Sequence, residues 1–241
     1  MSLPSTGPIS LSQVQTEFGG TNPISLSEYY YNGSYITGNN TSVPSIGTTI
    51  SMSNLRGKYK AYLVVYSVIG GGGAGGYGVD DGGEGNRGTY APAGSSSIVS
   101  SPGYSITSSG GRGGENCKGN RATSGTNGGT SVYGPGGAGG GLNSNGADAV
   151  NYGSGGGGGG GDSGSWFDSG GCSGEGGVAS SRKTGSYWLT PGNSISIKVG
   201  AGGVAPTTGY DGGNGAKGYV TISVNGTTYT YNTPGNYAIT P

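Results

Sequence analysis

Carboxylates in polar segments are the side chains of this sequence that could carry out acid–base chemistry. Asp162 and Asp168 could act as the acid and nucleophile of a glycosidase, and Asp80, Asp81 and Glu84 form a second acidic group. The 241 residues include no histidine, which excludes His-based catalytic triads and removes the commonest metal ligand. Short acidic loops are usually solvated turns, so we expect no enzyme activity, no catalytic residue and no bound metal.

Two glycine motifs have the spacing of a dinucleotide-binding fingerprint. They are residues 83–88 (GEGNRG) and 213–218 (GNGAKG). The fingerprint works only where a helix begins behind it, because the pyrophosphate rests on the helix N-terminus. No helical pattern follows Gly88, and chance matches are expected in a glycine-rich chain. We therefore expect no cofactor.

Aromatic side chains in polar segments are better candidates for binding. Trp166 and Phe167 lie between two glycine runs, where a buried sheet position is not expected. Exposed aromatic rings suit sugar faces or protein hot spots. Comparable segments hold Tyr77, Tyr90, Tyr104, Tyr133 and Tyr152. We expect such loops to form a receptor-binding surface; the alternative is that each tyrosine folds over the glycine layers and shields them.

The composition excludes several protein classes. Glycine supplies 61 residues, hydrophobic residues reach only 30% and charged residues 9%. This rules out a large conventional core, while 18 tyrosines and zero net charge are unlike a disordered chain. Neutrality gives no electrostatic footprint for nucleic acid. The longest apolar run, 61–69, is too short for a membrane span, so we expect neither nucleic acid binding nor membrane insertion.

Cys117 and Cys172 are the only cysteines. Two thiolates cannot complete a four-cysteine zinc site. Both residues flank glycine runs that turn at one end of the domain, so we expect them to lie near each other. A pair that can form a disulfide has Cα atoms about 4.4 to 6.8 Å apart.

Residues 1–58 form a separately patterned segment with an internal repeat. Three copies of an Ile-Ser-[Leu/Met]-Ser motif begin at Ile9, Ile24 and Ile50. Each predicts a short helix whose N-cap is the first serine of the motif, namely Ser10, Ser25 and Ser51. The residue three positions later would complete a capping box, and the isoleucine would act as a hydrophobic staple.

Three short helices bury little surface by themselves. We therefore interpret residues 1–58 as an attachment module that docks onto a partner or onto copies of itself. The alternative is a small structural segment that leads into the second domain, residues 59–241, and has no partner.

The second domain begins and ends with strand patterns. Residues 59–69 are β-branched, aromatic and continuously apolar, which is typical of a buried strand. Matching segments at the other end are 194–199, 218–224, 227–231 and 236–240. We expect these segments to form one small β-sheet, with glycine runs and display loops over 70–193.

The region from Gly70 to Gly218 holds 52 of the 61 glycines, in clusters rather than at every third position. Collagen is therefore excluded. Glycine in a left-handed polyproline II helix directs its amides and carbonyls sideways, so neighbouring helices can bond to one another and pack backbone against backbone. The predicted fold is mostly irregular and β: a layered sandwich of polyglycine helices on a small β-sheet, with a module of short helices in front.

Several segments resemble phage tail proteins. The strand before Gly70, the segment 189–203 and the segment 229–240 (YTYNTPGNYAIT) are similar to the glycine-rich domains of phage fibre and receptor-binding proteins. Residues 3–14 and 17–30 are similar to the openings of tail proteins in marine and cyanobacterial phages. The architecture resembles the adhesins of T-even-like phages, whose polyglycine helices form a layered sandwich and whose loops bind host receptors. The position of 229–240 implies that the last hairpin folds back beside 61–68.

The resemblance implies a tail fibre tip or other tail structural protein that acts at the host cell surface as part of the virion. Its partners would be other tail or baseplate proteins and a host surface protein or glycan. The alternative is an ice-binding protein built of polyproline II-like glycine helices, which would need a flat, regular face of small residues.

Overall fold

The computed structural model describes residues 2–38, 40–79, 88–117, 123–162, 171–207 and 209–241. Within them lie one α-helix, two short 3-10 helices and eight strands. The strands are β1 Tyr62–Ile69, β2 Ser97–Ser101, β3 Tyr104–Ser108, β4 Lys183–Leu189, β5 Ile195–Val199, β6 Tyr219–Val224, β7 Thr227–Tyr231 and β8 Gly235–Ile239. The protein is therefore mostly β outside its glycine runs.

The strands form two antiparallel four-stranded sheets, of order β4-β1-β6-β7 and β3-β2-β5-β8. The expectation of a single sheet is wrong, because β5 and β8 form the second sheet with β2 and β3. Strands β2, β3 and β4 also lie inside the region assigned to glycine runs and loops. The expected position of 229–240 beside β1 is wrong as well: β6 is the strand that pairs with β1, β7 lies outside β6, and β8 pairs with β5.

A hydrophobic core lies between the two sheets. Alternate residues of β1 (Val64, Tyr66 and Val68) are buried against alternate residues of β5 and β6, as expected where each sheet has one covered face. The opposite face of β1 leaves Leu63 and Val65 exposed. In β4, Gly185 lies opposite Tyr66, whose hydroxyl occupies the space that a side chain at 185 would need.

The N-terminal repeats form the predicted caps. Helix α1 spans Leu11–Phe18, and the 3-10 helices span Leu26–Glu28 and Met52–Leu55. In each copy the amide of the first serine donates to the side chain three residues later: Ser10 to Gln13 at 2.8 Å, Ser25 to Glu28 at 3.0 Å and Ser51 to Asn54 at 2.8 Å. Gly19 ends α1 with φ +91°, a backbone conformation that favours glycine.

Residues 2–58 nevertheless have a core of their own. Val14, Phe18, Tyr29 and Leu55 are at most 2% exposed and pack in one cluster with Leu3, Ile36 and Val43. The isoleucines of the three repeats pack against this cluster. The module therefore has a small core of its own, and Ile9, Ile24 and Ile50 are partly buried against it.

The glycine runs are joined by backbone hydrogen bonds. Along residues 71–79 every third amide reaches the same neighbour, as in Gly72 to Ala216, Gly75 to Gly213 and Gly78 to Tyr210, at 2.8–2.9 Å. The amides one position further along (residues 73, 76 and 79) donate in the same way to residues 172–178. Residues 71–79 thus donate to or accept from six neighbouring segments of the described chain.

Residues 155–161 have the same arrangement. Every third amide bonds to one neighbour: Gly155 donates to Gly129, Gly158 to Thr126 and Gly161 to Thr123. The amides of the residues in between donate to other segments. A Cβ atom on almost any glycine of this run would collide with a backbone carbonyl of a neighbour. Backbone therefore packs directly on backbone, and we call these bonded runs the glycine lattice.

Buried serines lie where the sheets meet the glycine lattice. Ser108 and Ser180 both place a hydroxyl oxygen 2.9 Å from the amide of Gly70, and Ser97 does the same for Gly200. Ser97 and Ser108 are fully buried. The amides that lose their strand partners at this boundary are satisfied by side chains, as buried amides require.

Residues 2–58, the two sheets and the glycine lattice follow one another along the molecule. The amide of Lys60 donates to Glu17, and the hydroxyl groups of Tyr59 and Thr190 lie 3.2 Å apart, so residues 2–58 meet the sheets at the β4–β5 turn. The glycine lattice continues from the opposite end of the sheets, where β1 ends at Ile69 and β6 begins at Tyr219. We call the lattice end next to the sheets proximal and its other end distal.

Candidate functional site

The distal end gathers chain segments that are far apart in sequence. The amide of Val79 donates to Cys172 at 2.9 Å, Gly161 donates to Thr123 at 3.0 Å, and the amide of Asn143 reaches Gly161 at 3.0 Å. Each outward run therefore ends beside the start of a returning run.

A disulfide joins two of these segments. The Cα atoms of Cys117 and Cys172 lie 4.8 Å apart, within the range that the sequence analysis set, and the two residues are bonded and buried. The amide of Cys117 also donates to Tyr77 at 3.0 Å. The bridge thus fastens the distal ends of two runs that both bond to residues 71–79.

Several predicted site residues lie outside the described residues. They include the main receptor candidates Trp166 and Phe167, and the carboxylates Asp80, Asp81, Glu84 and Asp168. The described ends of the Trp166 segment, Asp162 and Gly171, belong to the distal end. Within the described ranges, no group of three or more Cys, Asp or Glu side chains could hold a metal ion.

Tyr77 and Tyr90 have different surroundings. Tyr77 is only 7% exposed, so its assignment to a display loop is wrong; it belongs to a run that neighbours surround on all sides. Tyr90 is exposed, and the Arg112 guanidinium lies 4.4 Å from its ring centroid. Arg112 also approaches Glu175 at 3.7 Å, so an ion pair holds the cation in place.

Tyr133 and Tyr152 lie at the proximal end, away from the distal segments with which they were grouped. Their ring centroids are 5.8 Å apart with the rings edge to face, and both rings contact Tyr219 at the start of β6. Tyr152 and Tyr219 are stacked at 4.6 Å. We call these three residues the tyrosine cluster. Tyr104, in β3, instead stacks on Tyr187 at 4.1 Å.

Polar groups from two further segments surround the tyrosine cluster. The Lys217 ammonium lies 5.9 Å from the Tyr152 ring centroid, and the Asn232 amide donates to the Tyr152 hydroxyl at 3.4 Å. Sequence reasoning missed Lys217, Tyr219 and Asn232 because nothing in their local patterns links them to residues 133 and 152. Only the return of the chain along the lattice brings them together.

Of the two glycine motifs, the first lies outside the described residues except for Gly88. Residues 213–218 belong to the glycine lattice and lead into strand β6 rather than into a helix, so they do not form a dinucleotide site. Across the described ranges, no helix is long and apolar enough to cross a membrane.

Comparison of the chain with known proteins gives no relative to reason from: no family model, curated protein or solved structure matches it.

Proposed function

We propose that this protein is a phage tail fibre tip protein, or another tail protein, that binds a host surface receptor with the distal end of its glycine lattice. One observation carries the proposal: the described ends of successive runs collect at that end. These ends are residues 79 and 88, 117 and 123, 141 and 144, 162 and 171, and 207 and 209. Recognition on a rigid scaffold normally uses the connections between its elements.

We infer that the glycine runs are polyproline II helices forming a layered sandwich. Such a helix has three residues per turn, so residues on one side recur at every third position. The hydrogen bonds of 71–79 and 155–161 repeat with this period. A scaffold held by backbone alone allows connecting residues to change without loss of the fold, which suits a receptor-binding protein.

Residues 1–58 would attach this scaffold to the virion. Their position at the end of the sheets away from the lattice supports this role, because a docked module there leaves the distal end free. Ile46 is 72% exposed at the tip of a turn between Ser45 and Thr48 and offers an apolar contact for a tail or baseplate protein.

Cell binding by the full-length chain tests the proposal. Labelled protein would be incubated with intact cells of a panel of Gram-negative bacteria that includes marine cyanobacteria. We expect retention on a subset of strains, and a loss of at least tenfold in the Trp166→Ala, Phe167→Ala double variant. Tyr229→Ala, which changes an exposed aromatic residue on strand β7, is the matched control.

Retention by no strain would contradict receptor binding. Equal retention of the double variant and the parent would contradict the assignment of Trp166 and Phe167. Circular dichroism of both variants shows whether the fold is intact.

Ice binding is the second candidate, and one surface row favours it. Along residues 135–141 the exposed positions are Pro135, Ala138 and Gly141, which recur at every third residue and are small. Other exposed positions of the lattice carry Tyr90, Arg112, Val204 and Lys217, which interrupt a regular face. A thermal-hysteresis measurement on the full chain distinguishes the candidates, because receptor binding predicts no hysteresis.

A further inference from the structure

The tyrosine cluster is a partly exposed aromatic surface that the distal receptor site does not use. Tyr133 is 36% exposed, although a tyrosine between glycine runs could fold over the lattice. Val132, the residue before Tyr133, is 59% exposed, and Val150, two residues before Tyr152, is 85% exposed. A large exposed apolar patch on a protein surface often marks a binding site.

The cluster is fixed before any ligand arrives. Tyr152 and Tyr219 stack on each other, and Tyr133 meets both rings edge to face at 5.8 and 5.3 Å. The Asn151 amide donates to the Pro135 carbonyl at 2.8 Å, which ties the two turns together. The Gly153 amide donates to Lys217 at 2.9 Å and ties the second turn to the start of β6. Rings held in this way lose little conformational entropy on binding.

The polar groups around the rings can all form hydrogen bonds with uncharged hydroxyl groups. Asn232 contributes an amide, Lys217 contributes an ammonium group, and the three tyrosines contribute phenolic hydroxyls. The exposed part of the Tyr133 ring, beside amide, ammonium and hydroxyl groups, complements a pyranose, which presents C–H groups on its faces and hydroxyls around its edge.

The size and charge of the cluster argue against a protein occupant. Its ring centroids all lie within 5.8 Å of one another, which matches one or two sugar rings. A stable protein interface buries about 800 Å² on each partner. Interface centres are also depleted of lysine, whereas Lys217 lies directly beside the stacked rings.

We propose that Tyr133, held in place by the stacked pair Tyr152 and Tyr219, forms a saccharide-binding platform, with Lys217 and Asn232 as hydrogen-bonding partners of the sugar hydroxyls. This site goes beyond the proposed function, because it lies at the proximal end and does not involve the distal connections. A glycan chain bound there would run along the side of the lattice while the distal end contacts the receptor.

Saturation-transfer NMR on the full-length chain tests the platform with four probes: cellotetraose, chitotetraose, isomaltotetraose and mannotetraose. We expect saturation of the axial C–H protons of at least one probe. Tyr133→Ala should weaken its binding by at least tenfold. Tyr229→Ala is the matched control, since Tyr229 is as exposed as Tyr133 but lies outside the cluster. Saccharide binding by this variant should stay within twofold of the parent.

Lys217→Gln keeps the rings and provides a second variant if Tyr133→Ala fails to fold; it should weaken binding at least threefold. The proposal is overturned if no probe is saturated, or if Tyr133→Ala or Lys217→Gln binds like the parent. It is also overturned if the full chain sediments as a dimer that Val150→Ser dissociates, because the cluster would then be an interface between copies. Cell retention through the distal end is measured separately, so either site can fail without the other.

Discussion

The amide of Gly156 donates a 3.0 Å hydrogen bond to the carbonyl of Gly73, and this bond joins the two most enclosed runs of the glycine lattice. Three residues further along both runs, Gly159 donates to Gly76 at 2.9 Å. The two runs are therefore parallel and in register. A side chain at Gly156 or Gly73 would collide with the backbone of a third segment, so close packing at these positions depends on glycine.

Gly156→Ala should strongly destabilise the protein. The added Cβ would collide with the backbone carbonyl of Gly213, which belongs to a run that is itself bonded on several sides. Overpacking in a rigid interior typically costs 1–3 kcal/mol, and we expect about 3 kcal/mol here because the obstructing atom is backbone. Urea unfolding followed by circular dichroism gives the change in free energy of unfolding.

Gly141→Ala is the control for this substitution. It adds the same methyl group at a lattice position where nothing lies within 4 Å of the new Cβ. Its free energy of unfolding should stay within about 0.5 kcal/mol of the parent, as for other surface changes. Equal effects of the two substitutions would show that close backbone packing does not stabilise the lattice.

Removal of the disulfide should loosen the distal end. The bridge joins residues 55 positions apart, and the chain-entropy model gives about 4 kcal/mol for a loop of that length. The double variant Cys117→Ser, Cys172→Ser should unfold at lower urea. Its hydrogen exchange should increase first at Val79, whose amide is bonded to Cys172. Uniform acceleration of exchange across the sheets and the lattice would contradict a local role.

Regular local patterns were predictable from the sequence. The three serine caps depend on residues three positions apart, and strands β1 and β5 to β8 are dense in β-branched and aromatic residues. Strands β2 and β3 are rich in serine, and β4 contains Gly185, so their strand signal is weak. Those strands form because the sheet supplies partners, which is a tertiary effect.

Assignment of residues to the candidate sites failed for a different reason. Tyr77 and Tyr133 occupy similar polar, glycine-rich sequence, yet one is buried in the lattice and the other is exposed at its proximal end. The difference depends on the direction in which each run crosses the lattice and on how many neighbouring segments surround it. Neither property is encoded within a few residues of the tyrosine.

The boundary between the sheets and the lattice should be sensitive to loss of one hydroxyl. Ser97→Ala removes the oxygen that lies 2.9 Å from the buried Gly200 amide and leaves that amide without this partner. An unsatisfied buried donor costs about 1–3 kcal/mol. Ser108→Ala should cost less, because Ser180 still accepts from Gly70. The carbonyl to which the Ser108 hydroxyl donates belongs to Ser181, which is exposed and can bond to water instead. Thermal unfolding of the two variants ranks them, and the reverse order would contradict this account.

Alkaline pH should destabilise the β-sandwich through Tyr104. Burial raises the pKa of Tyr104 to about 12, with a further contribution from its hydrogen bond to Tyr66, whose hydroxyl oxygen lies 2.5 Å away. An unfolded tyrosine ionises near pH 10. Between pH 10 and 12 the unfolded chain releases a proton that the folded protein retains, so stability is intact below pH 10 and falls across this window.

Urea unfolding at pH 9, 10 and 11 measures this fall. Tyr104→Phe cannot ionise at residue 104, so its stability should decline less between pH 10 and 11 than that of the parent. Tyr229→Phe, on the exposed strand β7, serves as the control and should decline as steeply as the parent. If Tyr104→Phe and the parent lost stability in parallel, the alkaline sensitivity would arise from other tyrosines, among which burial also raises the pKa of Tyr187 and Tyr231.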